Sequence, residues 1–265
     1  MKRKINKVVI KIGSSLIADY KTGLPKLSWI NSFINDLNFL IKKKIKIIIV
    51  SSGAIAIGRK RIGFLKKKLS LDEQQASASV GQIYLMDYYK KAFNKKGVEI
   101  SQILLTLEDT IKNEKKINAK KTLNKLIEKN FVPIINENDT VATDEIKFGD
   151  NDRLSARVAE IIKADLLVLL SDVSGLYNKD PKKNKKAKLI KEVKTINKSI
   201  IKASSFTNNH FARGGMTTKI MAAKIATSSG CGMVIVNGNS KNIIQKIFEE
   251  KEGTYFHPKK RKKNN

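Results

Sequence analysis

The sequence predicts an α/β fold: a three-layer αβα sandwich around a mostly parallel central sheet. Three observations carry this. Strand-like apolar runs alternate with helix-like stretches along nearly the whole chain, the order that builds parallel, doubly wound sheets. Two of the runs, "IKIIIV" (45–50) and "DLLVLL" (165–170), are almost wholly apolar, as strands covered on both faces are. A chain of 265 residues with 41% hydrophobic content can bury a sizeable core. Length alone is compatible with one domain of two lobes or with two domains.

Residues 7–12, "KVVIKI", read as the first strand. Ser28 opens a helix in which Ile30, Phe33, Ile34, Leu37 and Ile41 share a face. "IKIIIV" is the second strand. Ser70 and Glu73 have the spacing of a capping box, opening a long helix to about Asn94. "VEISQILL" (98–105) reads as a strand, roughly 117–129 as a helix and "FVPII" (131–135) as a strand. A helix over about 152–163, the strand "DLLVLL", a helix near 217–229 ended by Gly230 and the strand "GMVIV" (232–236) complete the order. Ligands of such sheets sit beyond the carboxyl ends of the strands.

The formal net charge is +29, from 53 Lys+Arg against 24 Asp+Glu. Only seven of the basic residues are Arg, and the lysines are spread nearly everywhere. Arg is the better tool for bidentate phosphate and base contacts, and no interleaved aromatics accompany the lysines. The excess therefore reads as solvated faces rather than a nucleic-acid site. A single cysteine, Cys231, permits no internal disulfide and fits a reducing cytoplasm. The apolar run of "MKRKINKVVIKIG" is broken by Lys11, too early for a signal-peptide core, and no run approaches a membrane span. His210 and His257 lack ligand-spaced partners, so no protein metal site is expected. Cys231 and Trp29 read as packing residues.

Four loops fall at the ligand end of the predicted sheet. In "KIGSS" (11–15), Gly13 allows close backbone approach to an anion and Lys11 puts a charge beside it. "SSGAIAIG" (51–58) leads small residues into a helix and exposes N–H groups. The stretch 135–156, "INENDTVATDEIKFGDNDRLSA", gathers six carboxylates in a strongly basic chain, opposed only by Lys147 and Arg153. "RGGMTTK" (213–219) sets two glycines before a helix whose first turn holds Thr217, Thr218 and Lys219, which suits nucleotide phosphates. There is no Walker A loop.

Together these loops resemble the amino acid kinase family and, within it, the glutamate 5-kinases. The matching stretches are "VVIKIGSS", "IIIVSSGAIAIG", "VGQ" (80–82), "PIINENDTVATDEIKFGDNDRLSA", "LLSDVSGLYNKDP", "GGMTTK" and "GTYF", in family order. The resemblance implies an eight-stranded, mostly parallel sheet between helices, and phosphoryl transfer from ATP, with Mg2+, to the side-chain carboxylate of L-glutamate. It places catalytic roles on Lys11, Lys219 and Asp152, and glutamate binding on Ser52, Gly53, Asn136, Asp139, Asp150 and Asn151. Nucleotide binding falls on Lys11, Gly13, Ser171, Asp172, Arg213, Gly214, Gly215, Met216, Thr217, Thr218 and Lys219. It further implies a cytoplasmic homo-oligomer with L-proline as feedback inhibitor. A kinase domain is expected over 1–257, its N-terminal lobe for substrate and its C-terminal lobe for nucleotide, with a basic tail over 258–265. The further C-terminal RNA-binding-like module frequent in the family is not among the 265 residues. The family's Gly-Thr before "GGM" is replaced here by Ala212 and Arg213.

Overall fold

The computed structural model describes residues 4–19, 21–64, 68–142, 151–181, 183–205 and 215–259. Its strands are β1 (Lys7–Ile12), β2 (Lys46–Ser51), β3 (Ile100–Leu105), β4 (Val132–Glu137), β5 (Leu166–Ser171), β6 (Glu192–Val193), β7 (Gly232–Asn237) and β8 (Thr254–Phe256). They form an eight-stranded sheet in the order β3-β4-β2-β1-β5-β7-β8-β6. β1 to β5 and β7 run parallel, while β8 is antiparallel to β7 and pairs parallel with β6. From β1 the chain adds β2 beside it, crosses to the edge at β3, returns to place β4 between β3 and β2, and then resumes on the other side of β1 with β5. The strand order thus reverses at β1, where open sheets form their binding crevice.

Side chains alternate between the two faces, and each face has its own core. Val8, Ile10 and Ile12 join Ile47, Ile49 and Ile134 on one side, covered by Ile30 and Phe33 of the helix Leu27–Asp36 and by Leu85, Tyr89 and Phe93 of the helix Leu71–Asn94. Val9 joins Ile48, Val50 and Ile135 on the other, covered by Leu154 and Val158 of the helix Asn151–Ile161 and by Ile220 and Ala223 of the helix Met216–Ser228. Helices on both faces make the three layers that the alternation predicts. The period of two also puts Lys11 on the face of Val9. A lysine in a buried central strand is thereby aimed at the layer that contains Asp152 and Lys219.

The long helix begins where the Ser-x-x-Glu spacing places it. Ser70 N donates to Glu73 Oε2 at 2.9 Å, and Glu73 N to Ser70 Oγ at 3.4 Å. Elsewhere the boundaries move. The apolar face read from Ser28 to Ile41 is divided between Leu27–Asp36 and Asn38–Lys42. The helix expected at 117 starts at Asn113; its first turn is polar and carries no apolar period by which to read it. Trp29 does pack, stacking on Phe33 with ring centroids 5.2 Å apart, and its Nε1 also donates to Gly238 O at 2.8 Å. Cys231 is fully buried in the core.

Candidate active site

Asp152 lies in the first turn of the helix Asn151–Ile161, where the positive end of the helix favours a carboxylate. It is wholly buried, and Lys11 and Lys219 beside it are 6% and 5% exposed. Lys11 Nζ lies 2.6 Å from Asp152 Oδ1, and Lys219 Nζ 3.0 Å from Asp152 Oδ2. Thr218 Oγ1 is 2.9 Å from the same Oδ2 and 2.8 Å from Gly215 O; one hydroxyl proton serves one of them at a time. Lys219 sits in the first turn of its helix, an unfavourable place for a cation unless a carboxylate answers it. Burial works against a charged Asp152. The Lys11 and Lys219 ammonium groups overcome that and hold its pKa well below the usual carboxylate range. The result is two cations from opposite ends of the chain, held by one anion, at the carboxyl end of the central strand.

A second cluster adjoins through Asn151. Its Nδ2 lies 2.8 Å from Ser51 O, 2.8 Å from Ser52 Oγ and 3.0 Å from Asn136 Oδ1. Ser52 follows β2 and Asn136 is the penultimate residue of β4. Helix start and two strand ends therefore share one amide. Gly53 turns the chain from β2 into the helix Ala54–Arg61 with φ +108°, and a Cβ there would stand 2.9 Å from Ile17 Cγ2, so only glycine fits. At Gly53 itself the loop therefore presents backbone alone.

The remaining expected residues are placed less uniformly. Ser171 and Asp172 close β5, with Ser171 Oγ donating to Asp172 Oδ1 at 3.1 Å. Gly13 N donates to Leu170 O at 3.1 Å, so this residue offers an anion space rather than its amide. Met216 has its side chain in the core, which leaves only its backbone for a ligand. Gly215 caps the helix Met216–Ser228, with Thr217 half-buried in its first turn. Asp139 lies half-buried two residues beyond β4, at the same end of the sheet. Asp150, Arg213 and Gly214 lie outside the described residues.

Two neighbours of the amide cluster were not singled out from the sequence. Gln82 Oε1 accepts from Asn136 Nδ2 at 2.8 Å, and Tyr89 Oη pairs with Ser51 Oγ at 2.9 Å in the interior. Both stand on the helix Leu71–Asn94, where nothing but the "VGQ" stretch could have pointed to either.

The model of the amino acid kinase family matches residues 6–237. A glutamate 5-kinase of Pelagibacter ubique is 53% identical over 252 residues, covering 95% of this chain and 68% of that relative. Another, of Clostridium tetani, is 46% identical over 255 residues and covers 96% of this chain and 95% of its own. Among solved structures, the UMP kinase from Ureaplasma parvum superposes with a TM-score of 0.63 at 18% identity, covering 96% of this chain and 100% of that one. An isopentenyl phosphate kinase gives a TM-score of 0.62 at 14% identity, covering 94% and 99%. Likeness at such low identity concerns the fold alone.

Proposed function

The chain belongs to the amino acid kinase family, in its glutamate 5-kinase branch, and from that premise we propose what it does. It transfers the γ-phosphoryl group of ATP to the side-chain carboxylate of L-glutamate. The product, L-glutamyl 5-phosphate, is that of the first step of proline biosynthesis. The observation that carries this is Asp152 held between Lys11 and Lys219.

The chemistry needs what that triad supplies. A glutamate side chain has a pKa near 4.3 and is already the nucleophile at pH 7, so no general base is required. One carboxylate oxygen attacks the γ-phosphorus, the bond to the β,γ-bridging oxygen breaks, and ADP leaves. The obstacle is the approach of one anion to another, so positioning and charge neutralisation dominate. Lys11 and Lys219 neutralise the transferring group, and Asp152 keeps both in place as a carboxylate shared by two ammonium groups. Mg2+, whose natural ligands are hard phosphate oxygens, would arrive bound to ATP and would supply further charge neutralisation beside Lys11 and Lys219.

The two substrates divide the carboxyl end of the sheet. Ser171, Asp172 and the segment Arg213 to Lys219 serve the nucleotide, its phosphates meeting the N-terminus of the helix Met216–Ser228 and the space at Gly13. Ser52, Gly53, Asn136 and Asn151 receive glutamate, while Asp139 and Asp150 answer its α-ammonium group. That is why a basic chain gathers acids in 135–156. The lobes follow the same division within 1–257, the N-terminal one for glutamate and the C-terminal one for nucleotide. Likeness to the glutamate 5-kinases also carries feedback inhibition by L-proline and a cytoplasmic homo-oligomer. No described helix is long and apolar enough to cross a membrane.

The test is ATP turnover with Mg2+ against glutamate, N-acetylglutamate, aspartate and uridine monophosphate. Turnover should require free glutamate. N-acetylglutamate lacks the ammonium group that the acids answer, and turnover with it equal to that with glutamate would overturn the reading.

A further inference from the structure

Gln82 stands directly after Gly81 on the helix Leu71–Asn94, against the glutamate side of the site. Which end of each amide faces which neighbour is fixed by two backbone groups that have no choice of role. The Glu137 N–H donates to Asn136 Oδ1 at 2.9 Å, so that atom is the carbonyl oxygen. The Ser51 carbonyl accepts from Asn151 Nδ2 at 2.8 Å, so that atom is the nitrogen. Asn136 must therefore turn its NH2 to Gln82, and Gln82 must answer with its oxygen. The amino end of Gln82 is what remains. Its Nε2 is screened from solvent and meets no hydrogen-bond partner among the described residues. Buried donors without an acceptor are costly and few in native proteins.

The position of Gln82 is set by backbone contact. The helix Ala54–Arg61, which begins at the Ser52-Gly53 loop, crosses the helix Leu71–Asn94 at Gly58 and Gly81. A Cβ on Gly81 would stand 1.9 Å from Ala54 O, and one on Gly58 1.8 Å from Ser77 O. Two backbones in such contact cannot slide without loss of packing. Gln82 is thereby tied to the loop that carries Ser52, and Ser52, Asn136, Asn151 and Gln82 form one connected wall.

We infer that Gln82 is a further specificity-determining residue of the glutamate site, seating the Asn136 amide by accepting from it and donating from Nε2 to a carboxylate oxygen of the bound amino acid. This rests on the glutamate reading of the same site. Glutamate brings two carboxylates and a single ammonium group. The acids of 135–156 can serve the ammonium group but not the oxygens. Lys11 and Lys219 are engaged with the transferring group. The carboxylate that is not phosphorylated needs donors, and a neutral amide supplies one without adding charge.

Three variants separate the two halves of this role. Gln82→Glu keeps an oxygen for Asn136 and turns the donor into an anion. Gln82→Met keeps the length and removes both groups. Gln82→Asn keeps both and withdraws them by one methylene. For each, KM for glutamate, KM for ATP, kcat and the Tm of the ligand-free protein are measured beside the wild type. Gln82→Glu should raise the glutamate KM at least about tenfold, as expected for losing a hydrogen bond to a charged partner, with the ATP KM within about twofold. Gln82→Asn should fall between Gln82→Glu and the wild type. A folded Gln82→Glu protein with a wild-type glutamate KM would overturn the inference, since Gln82 would then only seat Asn136. A parallel rise in both KM values would overturn it as well. If Gln82→Glu fails to fold, Gln82→Met decides, and an unchanged glutamate KM there has the same force. A wild type that consumes ATP without any need for glutamate defeats the underlying reading and this inference with it. An active wild type and an equally saturable Gln82→Glu defeat the inference alone.

Discussion

Replacing Asp152 by Asn removes one negative charge and leaves the side chain's shape. The carboxylate it removes is fully buried, 2.6 Å from Lys11 Nζ and 3.0 Å from Lys219 Nζ. Removing one partner of a buried pair costs about 3–5 kcal/mol, because the charge left behind is uncompensated. At about 2–4 °C per kcal/mol for a chain of roughly this size, Tm should fall by about 6–20 °C. Catalysis should suffer separately. A misplacement of about 1 Å can cost about 100-fold, and here two lysines lose their anchor together. Effects of groups acting as a unit do not simply multiply, so kcat should fall about 10²–10⁴-fold with a smaller change in either KM. The pH dependence has a definite sign. The folded-state pKa of Asp152 lies below its ordinary value of 3.8, so its stabilisation is complete above about pH 4 and is lost as pH falls through the folded value. The Tm gap between wild type and Asp152→Asn should therefore be constant near neutrality and close only in strong acid. Calorimetry across pH and saturating kinetics at pH 7 read both. A folded Asp152→Asn protein with kcat within about threefold of wild type would refute the role given to this carboxylate.

Lys219→Met should lower kcat about 100-fold or more, since a preorganised donor to developing charge is worth about that much; near-normal turnover by the folded variant would remove Lys219 from the catalytic set. Asp139→Ala should chiefly raise the glutamate KM, because it removes a ground-state contact to the ammonium group; a fall in kcat at constant KM would mean that its role has been misassigned. Ser70→Ala should cost about 1 kcal/mol through the lost cap while leaving kcat and both KM values unchanged; an unshifted Tm in calorimetry would show that the capping box contributes nothing.

Where the sequence was readable, the cause was local or periodic. Strands β1 to β5 and β7 announced themselves as largely apolar runs, the edge strand β3 among them, and the capping box as a spacing between Ser70 and Glu73. The likeness to the kinases led to Lys11, Lys219 and Asp152, and the folded chain joins these residues from three distant places. Other features needed the third dimension. β6 has two residues and β8 three, too short for any period, and they exist because each is held by a neighbour in the sheet. Gln82 is a glutamine on a helix, and only the fixed sense of the Glu137 N–H and the Ser51 carbonyl makes its free end visible. A glycine such as Gly13 invites a conformational reading, yet its φ is −70° and its N–H is bound to Leu170. Met216 lies within a phosphate-loop pattern but turns its side chain into the core.

The most direct test of the central claim is the chemical identity of the product. An acyl phosphate reacts with hydroxylamine to give a hydroxamate, which a phosphate ester does not. The protein, incubated with ATP, Mg2+, L-glutamate and hydroxylamine, should form γ-glutamyl hydroxamate in step with ADP, and Lys219→Met should form about 100-fold less. ADP release with no hydroxamate, or hydroxamate formed as readily from N-acetylglutamate as from glutamate, would contradict the account.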